Sequence, residues 1–342
     1  MRLGVLDIGS NSAQLQIVDL AAGSPPLPAH GVKNPTLLSE EINDHGVISS
    51  AGIERVSQAV SDAVRVAAEQ HVDQLYPFVT AAIRDAVNRD EVLDRIEAVA
   101  GVRPQFLTGE QEARLTYLAV HRWFGWSSGR LLLLDIGGGS MEVALGRDAA
   151  PSLALSLPLG VRRLTSQFLA SDPPSGKQVK QVRRHIRDTL GEVADRLRWE
   201  AGPRRVVATS KTFKQLARLT GAPPQRKGPF VRRTISLDDL RTWIPRLAEL
   251  PAKERADLRG ISSSRAKQIL AGALVAETTM AVLDVKSTEV CPWALREGIM
   301  LRHQEALTTD TDLPLYPLER VRNQPEQANV ATLPTARPPD PA

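Results

Sequence analysis

Cysteine occurs once, at Cys291, so the chain has no intramolecular disulfide to draw on. In VCPWALREG the thiol has no histidine beside it to activate it, and it reads as a buried structural residue. Histidine is also scarce. The six are scattered, with no two-histidine spacing that would clasp a metal. Aromatic residues make up 4% of the chain and no nucleic-acid reader motif is present, so no specific nucleic-acid partner is expected. No apolar run approaches the roughly 18–20 residues of a membrane span. Met1 leads straight into a strand-like run without the basic, apolar and small-residue order of a signal peptide, so the expected location is the cytoplasm and no membrane partner is expected.

What is present is the composition of a soluble globular protein, 42% apolar and 24% charged over 342 residues, enough for two domains with separate cores. The formal charge is only +4, yet basic residues gather in KQVKQVRRHIR (Lys177 to Arg187) and RKGPFVRR (Arg226 to Arg233). The first cluster reads either as the solvated face of a helix with Val179, Val182 and Ile186 turned inward, or as a runway for a polyanion.

The stretch LLLLDIGGGSMEVALG (Leu131 to Gly146) contains three consecutive glycines. A hairpin needs one or two residues with positive φ, so a third glycine implies that something approaches the backbone closely. Asp7-Ile8-Gly9-Ser10-Asn11-Ser12 echoes Asp135-Ile136-Gly137-Gly138-Gly139-Ser140, each between two apolar strands. This is a duplication at domain scale, with two related halves facing one ligand.

Periodicity places a strand near Thr36 to Leu38 and a helix from about Ala51 to Glu69 capped by Ser49 or Ser50. It adds a strand at Leu75 to Val79, a strand-to-helix turn at Thr80 to Arg84, a helix at Glu91 to Ala100 and a strand at Arg103 to Phe106. Thr108 to Gln111 forms a capping box for the helix that follows. The loop WFGWSSG puts the domain boundary near residue 127. The second segment carries strands around Met141 to Leu145, Leu153 to Leu157 and Arg205 to Ala208, with helices around Val161 to Leu169 and Gly176 to Leu197. From Thr308 to Ala342 seven prolines accumulate, so the expected domains are 1–127 and 128–307, followed by a disordered tail, 308–342.

Asp135 ends a strand, and the amides of Gly137, Gly138, Gly139 and Ser140 suit a nest for anionic oxygens, with the aspartate an oxygen ligand for magnesium. Ser10 and Asn11 offer side-chain donors in the first copy, and Asp7 a second carboxylate. Glu142 alternates away from the apolar face, toward either the metal or solvent. Arg84 either pairs two phosphate oxygens or salt-bridges Asp85 or a neighbouring acid. Glu110 and Glu112 both lie in a first helical turn, where the macrodipole alone favours acids, and spacing does not choose which of them orients a water.

In order along the chain, VLDIGSNS, TAAIRDAVN, LTGEQEARLTYLAV, LLLLDIGGGSMEV, LSLPLGVRRLT, SSSRAKQILAGALV and WALREGIML resemble the exopolyphosphatase and guanosine pentaphosphate phosphohydrolase (Ppx/GppA) family, across residues 1 to 307. The sequence is most similar to the short actinobacterial exopolyphosphatases. The resemblance implies an α/β fold of two ribonuclease-H-like domains, in the actin, Hsp70 and sugar-kinase superfold, around a phosphate-binding cleft. It implies hydrolysis of terminal orthophosphate from inorganic polyphosphate, with guanosine pentaphosphate hydrolysis and a non-catalytic phosphate or alarmone sensor as alternatives. (p)ppGpp is implied as a substrate or inhibitor, and homodimerisation as the assembly.

The family's EEA falls on Gln111-Glu112-Ala113, so the resemblance makes Glu112 the catalytic base and leaves Glu110 as a capping or supporting acid. By the same mapping Asp135 and Glu142, with Asp7, support magnesium, or manganese in its place. Gly137 to Ser140 cradle the terminal phosphate, and Ser10, Asn11 and Arg84 grip it from the other half. Thr80-Ala81-Ala82 lacks the serine usual at its middle position, and Thr209-Ser210-Lys211-Thr212 lacks the usual glycine but offers Lys211 to phosphate. No further helical domain follows residue 307, which favours short polyphosphate.

Overall fold

The computed structural model describes residues 1–21, 24–43, 45–199, 202–307 and 313–319. Two mixed sheets are built on one plan. In the first, β1 (Arg2–Ile8), β2 (Ser12–Asp19) and β3 (Pro28–Pro35) form an antiparallel meander, β4 (Gln74–Val79) lies parallel to β1, and β5 (Gln105–Phe106) lies parallel to β4. In the second, β6 (Leu131–Ile136), β7 (Met141–Gly146) and β8 (Leu153–Leu157) repeat the meander. There β9 (Arg205–Thr209) runs parallel to β6, β11 (Ser287–Val290) runs parallel to β9, and β10 (Thr234–Ser236) closes the edge. The duplication read from the two Asp-Ile-Gly loops is therefore a duplication of topology.

The order of elements follows from burial. Leu3, Val5, Leu6 and Ile8 of β1 and Leu131 to Leu134 of β6 are all buried, as central strands covered on both faces require. The parallel pairing of β1 with β4 needs a crossover, supplied by the helix Ser50–Glu69, whose buried Ile53, Val56, Val60, Ala63 and Ala67 lie at helical spacing. Ser49 caps it, its hydroxyl accepting from the Gly52 amide at 3.1 Å. The helix Gly176–Trp199 makes the corresponding crossover between β8 and β9.

Two helices tie the halves together. Ala113, Tyr117 and Val120 of Gly109–Phe124 pack with Leu131, Leu133, Ala144 and Val207 of the second sheet. Leu115, on the same helix, joins Leu3, Val5, Ile299 and Met300 against the first sheet. The helix Leu295–Ala306 crosses it so closely that a Cβ on Gly298 would stand 2.0 Å from the Leu115 carbonyl oxygen. Cys291 is fully buried in the same core, as its apolar surroundings imply.

Three expectations are corrected. The strand expected near Thr36 to Leu38 lies earlier, at Pro28–Pro35; Leu37 turns left-handed at φ 49° and a short helix, Leu38–Glu41, follows. Prolines mask an edge strand in sequence because an edge leaves amides unpaired and so tolerates their loss. The strand at Arg103 to Phe106 shrinks to Gln105–Phe106. Within the expected tail, β12 (Leu318–Glu319) pairs antiparallel with β4 and Leu315 is buried, so residues 313–319 return to the first sheet. The rest of that tail, 308–312 and 320–342, lies outside the described residues. Among the described residues no helix is long and apolar enough to cross a membrane.

The helix contact at Gly298 is tested against a glycine with open space around it. Gly298→Ala should lower stability by roughly 1–3 kcal/mol through overpacking. Gly191→Ala, on the open face of Gly176–Trp199, should raise it by about 0.5–1 kcal/mol through helix propensity. Urea denaturation checks both, and equal effects would refute the close crossing.

Candidate active site

The two Asp-Ile-Gly loops close with the same bond. Gly9 N–H donates to the Ser12 carbonyl at 3.0 Å, and Gly137 N–H donates to the Ser140 carbonyl at 2.9 Å. None of Gly137, Gly138 and Gly139 lies in the left-handed region, so turn geometry does not explain the triple glycine. Close packing does. A Cβ on Gly139 would stand 2.6 Å from the Ala81 Cβ, and one on Gly160 would stand 2.2 Å from the Gly139 carbonyl carbon. The helix Val161–Phe168 starts on the loop itself, the Val161 and Arg162 amides donating to the carbonyls of Gly137 and Gly138 at 3.0 and 2.9 Å.

A cleft of about 450 Å³ opens between the loops. Asp7, Ser10, Asn11, Glu112, Asp135, Gly137, Gly138, Gly139, Ser140, Glu142 and Lys211 all line it. Glu142 faces this cleft rather than solvent, directly across the ladder from Asp135. Two expected residues do not line it. Arg84 stands behind, donating through Nη1 to the Glu112 carboxylate and to the Leu107 carbonyl at 3.1 Å, and through Nε to Asp85 at 3.1 Å. The salt bridge weighed for Arg84 is thus present, to Asp85 and also to Glu112, and the guanidinium clamps Glu112 instead of lining the cleft. Glu110 points away and pairs with Arg114 at 2.7 Å. The capping partner is Gln111, whose Oε1 accepts from the Thr108 amide at 2.8 Å while Thr108 Oγ1 accepts from the Gln111 amide at 3.2 Å. Glu110 therefore takes no part in the cap, and an amide at position 111 serves it as well as an acid.

The cleft carboxylates are desolvated. Burial pushes Glu112 well above the ordinary carboxyl range, with Arg84 opposing and Asp7 and Asp135 reinforcing the rise. Burial likewise raises Glu142, with repulsion from Glu112 and Asp135 behind it, although Ser156 Oγ donates to Glu142 at 2.9 Å. Burial raises Asp7 and Asp135 too; Arg296 opposes the shift at Asp7, and a hydrogen bond from Thr209 opposes it at Asp135. Among the described residues no three acidic, histidine or cysteine side chains gather closely enough to hold a metal by themselves. The donors are nevertheless all oxygens, and magnesium typically takes one or two carboxylates together with phosphate and water.

Sequence reading missed the cations. Lys33, Arg162, Lys214, Arg265 and Arg296 also line the cleft. Arg162 Nε and Arg296 Nη1 are buried without a hydrogen-bond partner among the described residues. A signal was available: Arg162, Lys211 and Arg296 are each the second residue of a helix, Val161–Phe168, Ser210–Leu219 and Leu295–Ala306. The macrodipole disfavours cations there, and an anionic ligand would remove the penalty. Ser210 takes φ 78°, at a cost of roughly 1–3 kcal/mol for a residue with a side chain.

The model of the Ppx/GppA phosphatase family matches residues 17–306. An uncharacterized protein of Streptomyces coelicolor is 48% identical over 336 residues, 98% of each chain. Exopolyphosphatase 1 of Mycobacterium tuberculosis is 45% identical over 313 residues, covering 92% of this chain and 91% of its own. The crystal structure of the Aquifex aeolicus Ppx/GppA family member superposes with a TM-score of 0.74 at 26% identity, covering 90% of this chain and 99% of that one.

The raised Glu142 carboxyl makes a signed prediction. A folded-state value above the unfolded one means that stability is lost as pH rises from about 4.3 through the raised value. Glu142→Gln keeps the acceptor for Ser156 and removes the charge. Its thermal midpoint should exceed that of the parent by roughly 2 °C or more at about pH 8.5 and match it at about pH 4.5. A lower midpoint at the higher pH would show the ionised carboxylate to be satisfied.

The matched family model covers most of the chain, including the whole second sheet and its Asp-Ile-Gly loop, and the chain belongs to the Ppx/GppA phosphatase family.

Proposed function

We propose that this chain is an exopolyphosphatase that removes terminal orthophosphate from inorganic polyphosphate. The observation that carries the reading is the burial of the Glu112 carboxylate, clamped by Arg84, where both Asp-Ile-Gly loops meet. The name of the Mycobacterium tuberculosis relative supports the same substrate.

Glu112 takes a proton from water. The water oxygen bonds to the terminal phosphorus, the bond from phosphorus to the bridging oxygen breaks, and that oxygen keeps the electron pair. A raised carboxyl value makes Glu112 a stronger base than a solvated glutamate, and Arg84 fixes its direction. The nest of Gly137 to Ser140 and the partnerless Arg162 Nε receive equatorial oxygens from one side, Ser10 and Asn11 from the other. Asp135 and Glu142, with Asp7, would hold magnesium or manganese jointly with the phosphate oxygens; the ion supplies charge neutralisation on the transferred phosphoryl group. Short chains are the preferred substrates in this reading.

Orthophosphate release with Mg²⁺ is measured on short polyphosphate, long polyphosphate and guanosine pentaphosphate. Release from polyphosphate is expected, and Glu112→Gln should reduce it roughly 10²–10⁴-fold without loss of folding. Release from guanosine pentaphosphate alone would move the substrate, and binding without release from any would make the protein a sensor.

The pH profile gives a second check. The base works only when deprotonated, so kcat/KM on polyphosphate should fall as pH drops, with its inflection above the ordinary value of about 4.3. An inflection at the ordinary value would remove Glu112 from that role.

A further inference from the structure

The cleft is unevenly charged. Asp7, Glu112, Asp135 and Glu142 crowd one part of it, while Lys33 and Lys211 face each other in another. Lys33 comes from β3 at the edge of the first sheet, and Lys211 from the first turn of the helix behind β9 in the second. The charges that act most strongly on Lys211 are cations: Lys33 first, then Arg265 and Arg296. Burial and this company hold the Lys211 ammonium below the usual lysine range. Neither lysine has an ion-pair partner among the described residues. Two ammonium groups brought together from opposite halves repel each other, and an anion between them turns that repulsion into two attractions.

We propose that Lys33 and Lys211 form a bridging subsite for the phosphates that follow the scissile bond, so that polyphosphate lies with its reacting end among the carboxylates and its remaining charge between the two lysines. The proposal rests on the exopolyphosphatase reading and adds a direction to the bound chain. It also gives a reason for selecting a polyanionic leaving group. The bridging oxygen acquires negative charge as the bond to the terminal phosphorus breaks, and the phosphates attached to it lie against cations contributed by both halves. A leaving group with few phosphates engages one lysine or neither.

The test uses the full chain carrying Lys33→Met, Lys211→Met, both together and Lys211→Arg, with Lys286→Met, exposed just before β11 at the far end of the second sheet, as a control for net charge. KM and kcat for polyphosphate are measured over a salt series, and thermal midpoints report folding. Each single Met variant should raise KM roughly ten- to a hundredfold, the worth of one charge-assisted hydrogen bond. The effect on kcat should be smaller, the double variant should show a shallower salt dependence, and Lys211→Arg should recover most of the affinity. Lys286→Met should match the parent. An unchanged KM and salt slope in the double variant, with the parent active, would overturn the subsite and leave the enzyme reading standing. If the parent releases no orthophosphate the enzyme reading fails, and calorimetric titration with polyphosphate decides the subsite alone: weaker binding in the double variant supports it, and equal binding overturns it.

Discussion

Four carboxylates held out of water around one cleft set the terms for the rest of this structure. An ion moved from water into a protein interior loses several kcal/mol of hydration, about as much as a small domain has to spare. Each of the four is opposed by something specific: Glu112 by the Arg84 clamp, Glu142 by Ser156, Asp135 by Thr209, and Asp7 by the field of Arg296. None of these cancels the burial, because all four carboxyls remain shifted upward. The balance comes from the strands beneath. β1 and β6 are apolar almost to their ends and buried in the two sheets, and the acid arrives only at the next-to-last position of each. Tension between an apolar scaffold and unneutralised acids suits a site whose substrate brings both phosphate oxygens and, in the proposed mechanism, a divalent cation.

Asp7 and Asp135 were legible because each follows a pattern that local chemistry constrains: strand, acid, isoleucine, glycine. The choice between Glu110 and Glu112 was not, and the reason is geometric. Residues two apart on a helix differ by about 200° around its axis, so one faces inward and the other outward, and only tertiary packing says which. Tyr117 and Ala113 bury one face against the second sheet; Glu112 goes in with them and Glu110 turns out to Arg114. Arg84 was legible only as far as its pairing with Asp85, for a related reason. Its position in a strand-to-helix turn was read correctly, but a guanidinium reaches far enough that its partner depends on what the next helix offers, and here that is Glu112.

The cations were the larger loss. Lys33, Lys214 and Arg265 carry no local signature, since a basic residue on a strand edge or a helix turn is ordinary on any surface. Lys211 was read from its loop, and Arg162 and Arg296 were readable in principle, all three placed second in a helix against the macrodipole. The penalty is small at any one position, and only the convergence of three such helix starts on a single cleft gives it meaning. That convergence is a property of topology. It follows from the duplicated meander, which brings the loops after β1 and β6 and the starts of helices from both halves to one place.

The triple glycine shows how the halves meet there. Gly139 and Ala81 belong to different sheets, and the distance between them leaves no room for a side chain on the glycine. Gly160 presses on the same loop from behind, so the nest is shaped by protein on two sides and open to ligand on the third. At position 81 this chain has a methyl group facing bare backbone. The inter-sheet contact at that point is therefore van der Waals in character, short in range and without a hydrogen bond of its own. Charge acts over a longer range, and an anion drawing on donors from both halves would pull them together where the alanine contact merely limits how near they can come. In that arrangement the steric stop is fixed by Gly139 and Ala81, and a bound anion would add to the helix packing and the Arg163–Asp85 ion pair that already hold the halves against it.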